Sequence, residues 1–321
     1  MLDGAVVRGF PSIPRVLVLD PGVPEHFDGP VAIEEKLNGY NVRIARIDGE
    51  VFAFTRGGYV CPYTTWFARD RSLSGFFEAY PEHVLCGELI GPENPYTTHD
   101  YEEADSAALR VFDIRHRVSG TPLPVAERYE CCETHDLPGV PTFGIHDHDD
   151  AAAEARTVID DLDERGREGV VLKSLDGQRA VKYTTSAIHR SDLAHAFDKP
   201  FDYGRDFLFA RVIREAFQAV EFEESEAAAR ERARDLGEAI LLPAVESIRA
   251  VDRGEEIGDE HAVRGDSWAI ESLLAQLQST GLHLEIEADR EDGERMVRFL
   301  KVADASRDKI DYYLSGGTID E

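Results

Sequence analysis

Lys36, Lys173 and Lys182 are three of only six lysines in a chain that carries 63 acidic residues. They sit in Glu34-Glu35-Lys36-Leu37-Asn38-Gly39, Glu168-Gly169-Val170-Val171-Leu172-Lys173 and Ala180-Val181-Lys182-Tyr183. Arginine stays charged at any working pH and offers no amine nucleophile, whereas lysine loses its proton when its surroundings lower its pKa. A chain that uses arginine for most of its cations yet keeps lysine here reads as built around a reactive amine. Two further residues have the types such a site needs. Glu88 ends an apolar run, where a carboxylate is costly without partners. Phe112 offers a ring within an apolar strand-like stretch. Each has a plain structural explanation on its own: a solvated strand-end lysine, a surface acid, a core aromatic.

The elements that must position these residues follow from patterning. Residues 41–47 and 51–55 flank Asp48-Gly49, a strong hairpin signal. Residues 65–80 suit one helix with an apolar face. Strand-like stretches follow at 83–90, 107–115, 140–145, 168–175 and 178–184, with acidic helices over 124–134 and 149–165. Residues 1–30 are rich in Gly and Pro around the short apolar run Val16-Leu17-Val18-Leu19. Strands thus dominate the motif-bearing part, an α+β domain of about 200 residues. Past Lys199-Pro200, residues 203–252 read as helical, with Pro243 expected to interrupt a helix. A helix fits 265–279, and strands at 282–288 and 295–302 flank Asp292-Gly293, a second hairpin signal. The division expected is 1–200, a mainly helical 201–260, and a small α/β unit over 261–321.

The formal net charge is −28, with acids spread along the chain rather than gathered in a tail. That composition resembles the acidity of extreme halophiles, in whose molar salt the Debye length is about 3 Å. Net charge therefore excludes no nucleic-acid partner here. There is no apolar run of membrane-spanning length and no signal-peptide pattern, so the cytoplasm is expected. Four cysteines without a metal-binding spacing fit reduced thiols.

Order and spacing bind the motifs together. Lys36-Leu37-Asn38-Gly39 is followed by Arg43, Arg56-Gly57-Gly58, Gly87-Glu88-Leu89, Val111-Phe112-Asp113, Glu168 to Lys173, and Val181-Lys182-Tyr183. Over roughly residues 30–190 this series resembles the covalent nucleotidyltransferase superfamily of polynucleotide ligases and capping enzymes. Within it, Glu-Glu-Lys-x-x-Gly-Tyr-Asn-Val-Arg, Arg-Gly-Gly, Gly-Pro-Glu-Asn-Pro-Tyr and Lys-Tyr-Thr-Thr are most similar to the archaeal homodimeric ATP-dependent RNA ligases. The resemblance implies a ligase-type nucleotidyltransferase domain of antiparallel sheets with flanking helices, followed by mainly helical C-terminal domains.

It also implies roles. Lys36 would attack the α-phosphate of ATP and form a lysyl-AMP, with Lys173 and Lys182 supporting the charge on phosphorus. Glu34 or Glu35 would lie near the adenine edge, strand register deciding which. Glu88 would bind the ribose hydroxyls and Phe112 would stack on the adenine. Asn38, Gly39 and Val170 lie in the nucleotide-binding motifs, and Arg43 and Arg56 match positions that contact the nucleotide or the RNA end. Glu168 would support the metal, Mg²⁺ with Mn²⁺ as a substitute. The partners implied are RNA with 5′-phosphate and 3′-hydroxyl ends and a second copy of the chain. Two positions depart from the pattern: Asn38 stands where the superfamily usually has Asp, and Thr184 where a second lysine often follows Lys182. A DNA ligase or capping enzyme is disfavoured because residues 200–280 do not read as the five short strands of an OB-fold. Asn38 motivates a third reading, a nucleotide- or RNA-binding relative without catalysis.

Overall fold

The computed structural model describes residues 6–319 apart from 72, 98, 100 and 293. The chain begins with α1 (Leu19–His26), β1 (Val31–Lys36), β2 (Tyr40–Ile47), β3 (Glu50–Thr55), α2 (Pro62–Arg69), α3 (Ser74–Ala79), β4 (His83–Ile90) and β5 (Ala108–His116). It continues with α4 (Val125–Thr134), β6 (Thr142–His146), α5 (His148–Glu164), β7 (Gly169–Ser174), β8 (Ala180–Thr184) and α6 (Ser186–Asp198). It ends with α7 (Arg205–Glu221), α8 (Glu226–Asp252), β9 (Gly258–Gly265), α9 (Ser267–Ser279), β10 (Leu284–Asp292), β11 (Glu294–Val302) and α10 (Asp304–Leu314).

The strands form antiparallel sheets ordered β6-β1-β7-β8, β3-β2-β4-β5 and β10-β11-β9. Helices flank them, giving the α+β architecture that the patterning implies. The chain leaves the first sheet at Lys36 and enters the second at Tyr40, so Leu37-Asn38-Gly39 is the link between two sheets. Gly39 is required there: a Cβ would lie 2.4 Å from the Leu89 carbonyl oxygen. Asp48 and Gly49 both take positive φ, 51° and 85°, and close the β2–β3 hairpin.

Each large sheet has its own core. Ile33, Val170 and Leu172 pack beneath the first sheet against Leu19 and Val23 of α1 and Ala155, Ile159 and Leu162 of α5. The second sheet covers Phe67, Phe76 and Phe77 of α2 and α3. That core runs on into Val263, Ile270 and Phe299, so the C-terminal sheet and α9 seat on α2. Helix α7 leaves Phe209, Val212, Phe217 and Val220 exposed, and α8 leaves Leu241, Leu242 and Ile248 exposed. No helix among the described residues is long and apolar enough to cross a membrane.

Local expectations fail in several places, β9 across the expected boundary at 260 among them, and three have a plain physical reason. The helix expected over 65–80 is two helices, because Arg69-Asp70-Arg71 supplies no apolar side chain to hold an intervening turn. Residues 19–26 form a helix within the Gly/Pro-rich start, since Leu19 and Val23 bury one face at an i, i+4 spacing. Pro243 does not interrupt α8, which runs unbroken through it. The lost N–H and ring clash cost about 3 kcal/mol, and packing of α8 on α6 and α10 offsets that cost. The expected turn at Asp292-Gly293 falls partly outside the described residues, although β10 and β11 pair as a hairpin must.

Candidate active site

The register of the first sheet decides which residues meet. β1 pairs with β7 so that Lys36 faces Gly169, Glu34 faces Val171 and Ala32 faces Lys173. β7 pairs with β8 so that Val171 faces Lys182. Paired residues share a face and neighbours along a strand alternate. Glu34, Lys36, Val171, Lys173 and Lys182 therefore lie on one face, and Ile33, Glu35, Val170 and Leu172 on the other.

The second sheet supplies the opposite wall. Asn41 faces Glu88 across β2 and β4. Between β4 and β5 the register slips: Cys86 pairs with Asp113 and Gly87 with Val111, which leaves Phe112 as the bulged residue. A bulge re-aims a side chain, and Phe112 lines the cleft. The N-terminal segment crosses over and adds Phe10 and Ile13, with Phe10 edge-on to Phe112 at 5.1 Å between ring centroids. Leu37, Val140 and Val171 complete an apolar wall, while Lys36, Arg56, Glu88 and Lys182 provide the charged end.

Charges in the cleft are arranged in pairs. Lys36 Nζ donates to Glu168 Oε2 at 2.6 Å. Lys173 is buried, 2.8 Å from Glu34 Oε2, and donates to the Phe112 carbonyl at 2.6 Å. Glu34 also receives Arg128, which in turn donates to the Phe112 carbonyl at 2.6 Å, and the Tyr129 hydroxyl at 3.1 Å. Burial pushes the Glu34 carboxyl up, but Lys173 and Arg128 outweigh it and hold it below the usual carboxylate range. Its neighbour Glu35 behaves oppositely: burial wins and raises it, although Arg167 donates at 2.6 Å. Arg167 also grips Glu103 at 3.0 Å.

Two groups are left poised. Burial pushes Glu88 up to about 7, and the charge on Glu168 adds to this while Lys36, the Gly39 N–H and the Asn41 amide oppose it. Burial pushes Lys182 down to about 8, helped by Arg15 and Lys36. Lys182 forms no ion pair among the described residues. An amine beside a carboxylate acceptor, an unpaired cation and an apolar aromatic wall can together hold an aromatic phosphate compound and attack at phosphorus.

The predicted residues divide accordingly. Glu34, Lys36, Arg56, Glu88, Phe112, Lys173 and Lys182 line the cleft, with Glu168 in contact through Lys36, while Glu35 borders it along β1 with its side chain turned to the other face and held by Arg167. The others do not. Arg43 is buried and holds the Arg8 and Thr55 carbonyls at 2.8 Å each, fixing the N-terminal segment and the Arg56 turn. Val170 packs in the core beneath the sheet, and Val171 takes the cleft position because side chains alternate. Asn38 and Gly39 line a neighbouring polar cavity, where the Asn38 amide meets His99 Nε2 at 2.6 Å. Residues not anticipated are Phe10, Ile13, Arg15, Arg128, Tyr129 and Arg167. Arg15 donates to Thr184, so a cation from the N-terminal segment reaches the position that lacks a lysine. None of these carries a local signal. Most come from segments outside the motifs, Arg167 stands just before the motif that begins at Glu168, and a lone Arg in a loop or acidic helix reads as solvated.

Among the described residues no three His, Cys, Asp or Glu gather as a metal cluster. Mg²⁺ commonly uses one or two carboxylates with substrate phosphates and waters, and Glu168 and Glu88 at the charged end fit that mode.

An RNA ligase family model matches residues 29–184, and a model of the ligase Pab1020 C-terminal region matches residues 195–317. A solved archaeal ATP-dependent RNA ligase has 44% identity and a TM-score of 0.93, over 98% of this chain and 84% of that one. A putative ATP-dependent DNA ligase from Aquifex aeolicus has 25% identity and a TM-score of 0.91, over 98% and 88%. An uncharacterized protein of Methanocaldococcus jannaschii is 41% identical over 97% of this chain and 82% of its own length. The chain belongs to the archaeal ATP-dependent RNA ligase family.

Proposed function

We propose that the chain is an ATP-dependent RNA ligase that adenylylates Lys36, passes AMP to an RNA 5′-phosphate, and joins that end to a 3′-hydroxyl. The observation that carries this reading is Lys36 Nζ, 2.6 Å from Glu168, on the same strand face as Lys182 in a cleft with an aromatic wall. Attack needs a neutral amine, and Glu168, which accepts from Lys36 Nζ at 2.6 Å, offers a path for the proton to solvent. Phe112 and Phe10 receive the adenine, and Glu88 receives the ribose hydroxyls. Lys182, Lys173 and Arg56 balance charge on the phosphates during transfer. Pyrophosphate leaves as the bond from nitrogen to the α-phosphorus forms. Mg²⁺, or Mn²⁺ in its place, supplies further charge neutralisation when bound, held by Glu168 with Glu88 nearby. RNA rather than DNA is favoured by the 44% identity to the archaeal RNA ligase against 25% to the putative DNA ligase.

In this reading residues 1–200 carry adenylylation, 201–260 pack a homodimer through the exposed apolar positions of α7 and α8, and 261–321 form a small α/β unit. The acidic, lysine-poor composition suits the cytoplasm of a salt-adapted cell. The test is incubation with α-labelled ATP and Mg²⁺ in molar KCl, resolved on a denaturing gel. Wild type takes label; Lys36→Ala and Lys36→Arg take none. Label on Lys36→Arg would overturn the nucleophile assignment.

A further inference from the structure

Arg214 of α7 stands out because it has no polar partner among the described residues. In a chain of formal charge −28, its neighbours have found carboxylates: Arg211 holds Asp192 at 2.8 Å and Arg232 holds Glu215 at 2.6 Å. Among the described residues Arg214 makes no ion pair and no hydrogen bond. It is half-buried, and it shares a small pocket with Arg15, whose only side-chain hydrogen-bond partner among the described residues is the neutral Thr184 hydroxyl. Burial and then the charges of Arg15 and Arg211 push Arg214 down to about 10. Two half-buried like charges thus lie close together; the carboxylates of Asp192 and Glu168 ease this from a distance but contact neither guanidinium, which leaves the donors of Arg214 open to a bound anion.

A second feature of the pocket points the same way. Gln218 lines it, is only 4% exposed, and its amide oxygen has no partner among the described residues. Rotation of that amide presents an N–H instead, a third donor. The pocket is not isolated. Arg15 bridges to Lys182 through the backbone, and Thr184 lies two residues along β8 on the face that Lys182 shares with the cleft. The donors therefore continue the charged end of the cleft outward, from β8 to α7.

We propose that Arg15 and Arg214, with Gln218, form a phosphate-binding site that extends the cleft beyond Lys182. This rests on the ligase reading for its two candidate ligands, the departing pyrophosphate end of ATP and the 5′-terminal phosphate of RNA. The anion lies across the mouth, since the pocket itself is too small to enclose it. Paired guanidiniums suit this geometry, because their forks bind phosphate oxygens two at a time.

The experiment is calorimetric binding to the full-length protein and to Arg15→Gln and Arg214→Gln. The probes are inorganic pyrophosphate and a short oligoribonucleotide with either a 5′-phosphate or a 5′-hydroxyl. Arg214 makes no ion pair or hydrogen bond among the described residues, so its replacement by Gln should leave the thermal melt unchanged. A melt of Arg15→Gln identifies any loss of folding, and Arg214→Gln then carries the test alone. A loss of about tenfold or more per guanidinium, about 1.4 kcal/mol, is expected in at least one arm. Loss for pyrophosphate assigns the site to the triphosphate. Loss for only the 5′-phosphorylated RNA assigns it to the RNA end. Unchanged affinity for both probes overturns the proposal. None of these outcomes depends on Lys36 taking label, so failure of the ligase reading shows separately.

Discussion

Glu34→Ala should destabilise the chain more than any single charge removal at its surface. The Glu34 side chain is 1% exposed and faces two cations, Arg128 at 3% and Lys173 at 7%. Removing the carboxylate leaves both buried and uncompensated, a loss of about 3–5 kcal/mol. Surface pairs such as Arg230 with Glu226 lie in a different regime, near 0–1 kcal/mol. For a domain of this size the loss corresponds to a fall of roughly 6–20 °C in Tm. The pH dependence has a definite sign. Lys173 and Arg128 hold the folded Glu34 below its ordinary value. The stabilisation is therefore fully present at neutral pH and lost only as pH falls through that depressed value. The assay is urea unfolding followed by far-UV circular dichroism, wild type against Glu34→Ala, in constant KCl from pH 7 to pH 3. The gap should narrow towards the acid end, and Glu34→Gln, which keeps an acceptor, should fall between the two. A gap under about 0.5 kcal/mol at pH 7 would refute the account of a charge network tying β1, β7 and α4 together.

Three other outcomes are expected. Lys182 is pushed down to about 8 by burial, Arg15 and Lys36, so the unliganded protein loses this cation as pH climbs past that value. The KM for ATP should rise above about pH 8 in wild type and stay flat in Lys182→Met; parallel profiles would remove Lys182 from the phosphates. Gly39→Ala should abolish self-labelling and lower stability by about 1–3 kcal/mol, because the new Cβ meets backbone at 2.4 Å rather than a movable side chain; a labelled, equally stable variant would show that the link between the sheets has slack. Light scattering in molar KCl should give twice the 35.8 kDa chain mass, and Phe217→Glu should give the single chain; a wild-type monomer would sink the α7–α8 interface.

The cleft was legible where chemistry and local pattern coincide. Lysine is rare enough in this chain for three motif lysines to be noticed, and each lies on a strand whose alternation fixes its face. What the sequence does not contain is the order β1-β7-β8, which brings Lys36 beside Gly169 across more than a hundred residues. Motif spacing stood in for that order, through resemblance. The errors are of the same kind. Arg43 carries the right charge in the right strand, but its guanidinium is spent on three backbone carbonyls contributed by other segments. Val170 and Val171 cannot be told apart until the partner strand sets the register. Arg128 and Arg167, which decide the behaviour of Glu34 and Glu35, come from α4 and from the loop before β7 and carry no motif.

These partners explain how so acidic a chain can keep a cationic cleft. Glu34 is matched by Lys173 and Arg128, Glu35 by Arg167, and Glu168 by Lys36. Glu88 has no such cation in contact, but burial raises it to about 7, so part of its charge is absent at neutral pH. Subtracting these pairs leaves Lys182 and Arg56 facing the cleft, with Arg15 and Arg214 beyond, none held by a carboxylate among the described residues. The lining is therefore locally positive within a molecule of formal charge −28. In molar salt only charges within about 3 Å of a ligand act on it unscreened. The remaining acids, spread over the surface, then do not oppose an anion already in contact with these four cations.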